Sequence, residues 1–426
     1  MPMSRRDLML AGAAAISAAS AAPKTPDFGA RPDADPRALA RDEAYWAHVA
    51  RYYESPAQPL NLEHGYWGQM ALPVQQFYVE TIQRVNRELA VYARHQFAAD
   101  QQAAEAAIAS ALGVSADEIA ITRNATESIQ SLVRQYRGLK PGAAALYADA
   151  DYPEFKSLMQ WLETGAGVRV VKLDLPAQAG TADLLSIYTA AMEANPDLKL
   201  MLLTHTSNQH GLTLPVAAIA AEARRRGIDV ICDCAQSWGL LDYTLPQLGV
   251  DWAVFNLHKW IGAPLGVGAL YMRRGTLAKV GPYPGELDAA DTVVGARVHS
   301  GTVNFAGVLT VSSALAFHRA IGPAAKEQRL RHLHALWSEP ASRLPHIEVL
   351  GGTEEATRSG MGAFRLRGET SIDAARQVQQ RLEREHGIFT VMRDGLSSGG
   401  CVRVTPQVFT TAADMARLPG ALEQLA

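Results

Sequence analysis

The sequence predicts an α/β protein with a large domain on a mainly parallel sheet and a smaller α+β domain at the carboxyl end. Two observations carry this. Seven short apolar runs alternate with amphipathic helical stretches between roughly residues 118 and 271, the pattern of a parallel sheet covered by helices. From about Asn304 that alternation gives way to long helices and then to three strand-like runs.

In chain order, residues 1–22 form an amino-terminal signal, and a Pro-rich linker (Pro23 to Pro36) leads into a helix predicted over Arg37 to Tyr53. Gly65, Gly68 and Pro73 mark a loop before a second helix from about Val74 to Arg94. The seven predicted strands are Glu118–Thr122, Ala143–Tyr147, Val168–Leu173, Leu198–Leu203, Asp229–Cys232, Trp252–Phe255 and Val267–Tyr271. The smaller domain contributes Ile347–Leu350, Gly362–Leu366 and Val402–Thr405 with a helix between. The expected organisation is therefore a signal at 1–22, a linker and helix at 23–60, a large domain at 61–300 and a small domain at 301–426.

With 426 residues, 48% of them hydrophobic, the chain can bury a sizeable core. Its net charge is −3, and loss of the first 22 residues, which carry one surplus positive charge, leaves −4. Neither value points to nucleic acid or an anionic membrane as a partner. Three cysteines do not make a disulfide framework. Cys232 and Cys234 stand two apart in an extended run, where a bridge needs distortion, and both read as buried thiols.

The amino terminus is informative. Ser4-Arg5-Arg6-Asp7-Leu8-Met9 precedes an uncharged, Ala-rich run ending in small residues suited to cleavage after Ala21 or Ala22. This resembles a twin-arginine export signal, and the run is too short and weakly apolar to span a bilayer. Periplasmic localisation is expected, without stable membrane insertion. Export by this route moves folded proteins, which suits an enzyme that must collect a cofactor first.

The strongest constellation begins at Asp229. Asp-Val-Ile-Cys-Asp-Cys-Ala-Gln brings Asp233 to a strand end, and Phe255-Asn-Leu-His-Lys-Trp places Lys259 just beyond another strand. Ligands of open α/β sheets bind at the carboxyl ends of strands, so both side chains should reach one crevice. Alternation turns Asp233 away from its cysteine neighbours, and Ala235 would follow it past the strand end. Taken alone, such an Asp is more often a structural cap and such a Lys is more often solvated.

The flanking residues decide between these readings. His258-Lys259-Trp-Ile-Gly-Ala-Pro264-Leu-Gly266 resembles the His-Lys-x(4)-Pro-x-Gly signature of class V aminotransferases, fold-type I pyridoxal 5′-phosphate (PLP) enzymes that include cysteine desulfurases and isopenicillin N epimerases. The resemblance runs from about Asn61 to the carboxyl terminus. It implies that Lys259 carries the cofactor covalently and shuttles protons, while Asp233 keeps the pyridine nitrogen protonated so that the ring accepts electrons.

In Thr122-Arg-Asn-Ala125-Thr126-Glu127-Ser128, a strand-to-helix turn suited to an anion, the resemblance implies that Ala125 and Thr126 hold the phosphate, with Asn256 and His258 as further donors. Asn208, in His205-Thr-Ser207-Asn208-Gln-His-Gly211, and Gln236 are implied for the phenolic oxygen, and Tyr152 for stacking on the ring. Thr302, in Gly301-Thr302-Val-Asn304, is implied to reach a neighbouring phosphate across a homodimer interface. Arg403 matches the arginine that clamps an α-carboxylate, against the alternative of a surface ion pair, and His64 and Tyr66 occupy the loop that faces substrate.

One departure is useful. Desulfurases carry a nucleophilic Cys on a loop ahead of the carboxylate arginine, whereas here that loop is shortened (Arg393-Asp-Gly-Leu-Ser-Ser-Gly-Gly-Cys401) and Cys401, two residues before Arg403, is expected in extended chain and not on a loop. The comparison that survives is with the isopenicillin N epimerase-like subgroup, and within it with an exported type that tailors the siderophore pyoverdine. The resemblance thus implies an enzyme acting on an amino-acid or peptide amine, with amino transfer as the default. Epimerisation or oxidative decarboxylation of a secreted peptide or siderophore precursor is the competing route, and a non-catalytic PLP-binding protein is the alternative of another class. No metal is expected.

Overall fold

A computed structural model describes residues 32–56, 58–284, 286, 293–299 and 301–426. Arg5, Arg6 and the cleavage positions Ala21 and Ala22 lie outside the described residues.

The strands, in chain order, are β1 (Leu60–Asn61), β2 (Ile119–Thr122), β3 (Ala144–Ala148), β4 (Arg169–Leu173), β5 (Gln178–Ala179), β6 (Leu198–Thr204), β7 (Asp229–Asp233), β8 (Trp252–Asn256), β9 (Gly268–Met272), β10 (Ile347–Gly352), β11 (Gly362–Leu366), β12 (Ile388–Phe389), β13 (Val391–Arg393) and β14 (Cys401–Val404). All seven apolar runs of the large domain join one seven-stranded sheet of order β2-β9-β8-β7-β6-β3-β4. Pairing is parallel from β8 through β4, and β9 runs antiparallel to both β8 and β2. The carboxyl ends of β2, β3, β6, β7 and β8 therefore share one edge.

Burial on both faces explains why the central strands are largely apolar, while the edge strand β4 exposes Arg169 and Lys172. Ala144, Leu146, Met201, Leu203, Val230 and Cys232 pack on one side of the sheet. Their alternating neighbours Ala145, Tyr147, Leu200, Leu202 and Ile231 pack on the other.

The predicted first helix is two helices, Pro36–Leu39 and Glu43–Ala50, because the Asp42 carboxylate caps the second through the Ala44 and Tyr45 N–H groups and breaks the run. The second predicted helix spans Leu72–His95, with Leu89 out of helical geometry at φ 52°.

A five-stranded sheet, β13-β14-β11-β10-β5, forms towards the carboxyl end, with the helix Ile372–His386 against it. Its edge strand β5 comes from before β6 in the chain, and β1 pairs with β12. Two-residue strands carry no periodicity, which is why the sequence did not mark them. Among the described residues no single helix is long and apolar enough to cross a membrane, and the apolar residues of the bent pair Phe305–Ile321 and Pro323–Ala341 are largely buried.

Candidate active site

The shared edge collects the residues that end or follow β2, β3, β6, β7 and β8, namely Ala125, Thr126, Tyr152, Asn208, Asp233, Gln236, Asn256, His258 and Lys259, whereas His64, Tyr66, Thr302 and Arg403 come from elsewhere in the chain. Asp233 ends β7, opposite Thr204 of β6 and Val254 of β8, and Lys259 follows β8 by three residues. The Asp233 Oδ1 accepts the Ala235 N–H at 2.8 Å, which fixes the carboxyl in place, while Oδ2 has only the Thr204 hydroxyl at 3.4 Å. Burial pushes the acid up to about 6, partly offset by the Ala235 N–H and by Lys259, so it is ionised at neutral pH.

Lys259 Nζ makes no hydrogen bond among the described residues, and burial brings the amine down to about 8, against the opposing pull of Asp233. A nucleophilic amine without a partner beside a fixed carboxylate is the arrangement expected at a chemical centre. As expected from alternation, Cys232 and Cys234 face the opposite side of β7, both buried and free with their sulfurs 3.5 Å apart.

The anion cradle is narrower than the sequence implied. Asn124 caps the helix Ala125–Gln135 by accepting the Glu127 N–H, and the Ala125 N–H is taken by Asn256 Oδ1 at 2.8 Å. Ala125 thus offers no free donor. The next N–H, that of Thr126, has no intrahelical acceptor, and the Thr126 hydroxyl has no partner among the described residues, so both donors are open to an anion. Asn256, held through its oxygen, retains both amide protons.

His258 Nδ1 lies 3.2 Å from the Val267 carbonyl, which can only accept, so that nitrogen carries the proton. Burial holds the ring down to about 4, so it is neutral and can donate to an anion only after taking up a second proton.

On the phenolic-oxygen side, Asn208 Oδ1 accepts from Gln209 at 3.3 Å, leaving its amide protons without a partner among the described residues. Gln236 is more committed: it donates to the Gly65 carbonyl (2.8 Å) and accepts the Trp260 indole N–H (2.9 Å). Tyr152 is half-buried at the start of the helix Pro153–Gly165, edge-on to Phe155. Thr302 is exposed and makes no hydrogen bond among the described residues.

The loop 61–68 wraps over the lysine. Gly68 donates to the His258 carbonyl at 2.8 Å, and a Cβ at Gly68 would fall 1.8 Å from the Lys259 carbonyl oxygen. We expect Gly68→Ala to cost about 1–3 kcal/mol through this overlap and to lower cofactor retention, read by thermal unfolding and by bound cofactor per chain. Wild-type values in both would contradict the contact.

His64 is buried and neutral, brought down to about 4 by burial, with Nε2 bonded to the Asn61 carbonyl at 3.1 Å and its ring edge-on to Phe409. Tyr66 is 68% exposed and lies edge-on to Trp67. Both residues line a cavity of about 840 Å³.

Arg403 is not open to this cavity. It is fully buried, Nη2 pairs with Glu63 Oε1 at 2.5 Å, and Nη1 donates to the Asn208 carbonyl at 2.6 Å. Neither a surface ion pair nor a free clamp describes it. Glu63 went unnoticed in the sequence because a single acid in a loop has no signature there. Asp149 and Asp151 were missed for the same reason: Asp151 accepts the Ala148 and Thr204 N–H groups, and Asp149 those of Leu175 and Ser397, tying the sheet edge to the loop before β14.

These residues fit PLP: a partnerless amine, a fixed carboxylate, an open helix N-terminus and free amide donors stand on one edge. Comparison with known sequences decides the family, since the aminotransferase class V profile matches residues 70–418. The chain belongs to the class V aminotransferase family. Its cofactor is PLP.

The chain is 27% identical over 342 residues to the isopenicillin N epimerase of Amycolatopsis lactamdurans, covering 75% of this chain and 83% of that one. It is also 27% identical over 284 residues to a probable cysteine desulfurase of Mycobacterium leprae, covering 62% and 66%. Solved structures share the fold: C-DES with glycine covalently linked to PLP (TM-score 0.74, 21% identity, 86% of this chain and 96% of that one) and an apo cysteine desulfurase of Thermococcus onnurineus (0.74, 20%, 86% and 94%). Among the described residues no cluster of His, Cys, Asp or Glu could hold a metal.

Proposed function

We propose that this class V enzyme acts on the amine of an amino acid or peptide, with amino transfer as its reaction. The observation that carries this reading is the Lys259 amine, partnerless and held near neutrality, on the same sheet edge as the fixed Asp233 carboxylate. Bound PLP supplies an electron sink for the carbon bearing the substrate's nitrogen. Asp233 holds a proton on the ring nitrogen, Thr126 and Asn256 donate to the phosphate, and Asn208 donates to the phenolic oxygen. Lys259 takes a proton from the substrate carbon and returns it, with a basicity suited to neutral pH.

Cys401 argues against sulfur transfer from cysteine. It lies inside β14, fully buried, and burial pushes its thiol up to about 12, whereas a sulfur-accepting nucleophile must be an accessible thiolate. We expect Cys401→Ala to retain activity within about threefold, and loss of turnover with a well-folded variant would return desulfuration to consideration.

Similarity to an isopenicillin N epimerase over most of both chains favours epimerisation as the second reading. Export through Arg5-Arg6 to the periplasm and a homodimer with Thr302 at the partner's phosphate belong to the same proposal, supported by the sequence motifs and by the exposure of Thr302.

The test is a single turnover under argon, repeated in air. Conversion of the cofactor to its amine form with release of a keto product supports amino transfer. Inversion of the substrate, or oxygen-dependent decarboxylation, with the cofactor unchanged overturns it.

A further inference from the structure

Resting on the reading of Lys259 as the residue that holds the cofactor and moves the proton, we propose that Lys326 is a positioning residue. It fixes the turn 257–263, which carries Lys259, by donating to the Trp260 carbonyl.

Lys326 stands in the first turn of the helix Pro323–Ala341, which follows Phe305–Ile321 at a bend of 70°. Its side chain is buried, and no ion pair joins it to a carboxylate among the described residues. Burial alone acts on the amine and brings it down to about 7. A buried cation without a counter-ion is costly, and the positive end of a helix adds to the cost. Stability by itself would favour an apolar side chain of the same length here, so the donor is what distinguishes this lysine.

The acceptor has no other source of a proton. Trp260 is buried, and no backbone N–H reaches its carbonyl oxygen among the described residues. A Cβ at Gly239 would sit 3.0 Å from that oxygen, so the loop after β7 closes its other side.

Three successive carbonyls of the turn are thereby held from three directions. That of His258 accepts from Gly68, that of Lys259 from Gly262 at 3.1 Å, and that of Trp260 from Lys326. The Ala263 N–H closes the turn on the Leu257 carbonyl at 3.0 Å. The Trp260 indole in turn donates to Gln236, which donates to Gly65. Lys326 thus ties the Lys259 turn, Gln236 and the 61–68 loop to a helix that also packs against Ala412–Glu423 and β10.

Lys259 Nζ has no hydrogen bond of its own among the described residues, so the backbone it hangs from sets its aim. A misplacement of about 1 Å costs up to about 10²-fold in a step that depends on alignment. The charges that act most on the Lys259 amine are those of Asp233, Arg403, Arg393 and Glu63, so Lys326 works through the backbone and not through its charge.

Lys326→Met removes the donor at similar length, and Lys326→Arg keeps one. Apo-protein of each is loaded over a series of PLP concentrations, with the covalent step followed by the visible band and by borohydride trapping. Lys326→Met is expected to slow the limiting loading rate about tenfold or more, with half-saturating PLP within about twofold and the pH at which loading levels off unchanged. Lys326→Arg is expected to recover the rate to within about threefold. In the Lys326→Met holoenzyme, backbone hydrogen exchange should rise about tenfold across 257–263, while the denaturant midpoint is not lowered.

A limiting rate within about twofold of wild type overturns the assignment. A lowered midpoint with weaker PLP binding overturns it as well, by making Lys326 part of the fold alone, and so does a shift in the levelling pH, by making its charge the means. If the wild type traps no adduct on Lys259, the reading of that residue fails, while hydrogen exchange still decides whether Lys326 holds the turn.

Discussion

Lys259→Ala is expected to keep no covalent cofactor after borohydride reduction and to lose at least about 10³-fold in turnover, since one residue provides both the attachment and the proton transfer. The fold should survive, because Lys259 Nζ makes no hydrogen bond among the described residues and its loss leaves none of them unpaired. The same amine sets a pH dependence. Burial lowers it to about 8, so about a tenth is neutral and nucleophilic at pH 7, against less than about a thousandth for an unperturbed lysine. Covalent loading of apo-protein with PLP should therefore accelerate as pH rises and level off just above 8. A rate still climbing steeply at pH 10 would contradict the depressed amine, and covalent loading of the Ala variant would remove Lys259 from its role.

The second large effect falls on stability. Arg403→Met should destabilise the protein by about 3–5 kcal/mol in denaturant unfolding, because it strands Glu63 with only the Thr405 hydroxyl at 3.3 Å and Arg393 at 3.8 Å. The Asn208 carbonyl loses its guanidinium donor as well. Adding Glu63→Gln should recover most of the loss, since the stranded charge and not the missing arginine carries the cost. A single Arg403→Met variant within about 0.5 kcal/mol of wild type would show that the pair is not structural.

The two arginines show what the sequence could and could not convey. Position in the β14 motif identified Arg403, but not its partner, because Glu63 lies 340 residues earlier in the chain and meets it only through the fold. Arg393 stood in plain view at the head of a shortened loop, but its approach to the same Glu63, at 3.8 Å, exists only in the fold.

Where chemistry is local, the sequence was a good guide. The apolar runs marked all seven strands of the large sheet: the central strands are apolar because both faces are buried, and the edge strand β4 keeps enough of the pattern in Val170, Val171 and Leu173 although Arg169 and Lys172 are exposed. Placement of Asp233 and Lys259 on one edge followed from parallel topology alone. The Ala125 N–H was a different case: the helix N-terminus was legible, but the Asn256 side chain that occupies its first donor comes from another strand end. Short pairings such as β1 with β12 and β5 with β10 are likewise products of tertiary contact.

The central claim is that Lys259 carries the cofactor, and the structure contains a second buried lysine against which to judge it. Lys326 is brought down to about 7 by burial and donates to the Trp260 carbonyl, next to Lys259 in the chain. Peptide mapping by mass spectrometry of borohydride-reduced holoenzyme distinguishes the two. The account predicts one phosphopyridoxyl modification, on the peptide containing Lys259, in the wild type. A modification found instead on Lys326, or reduced protein without any adduct, would contradict it.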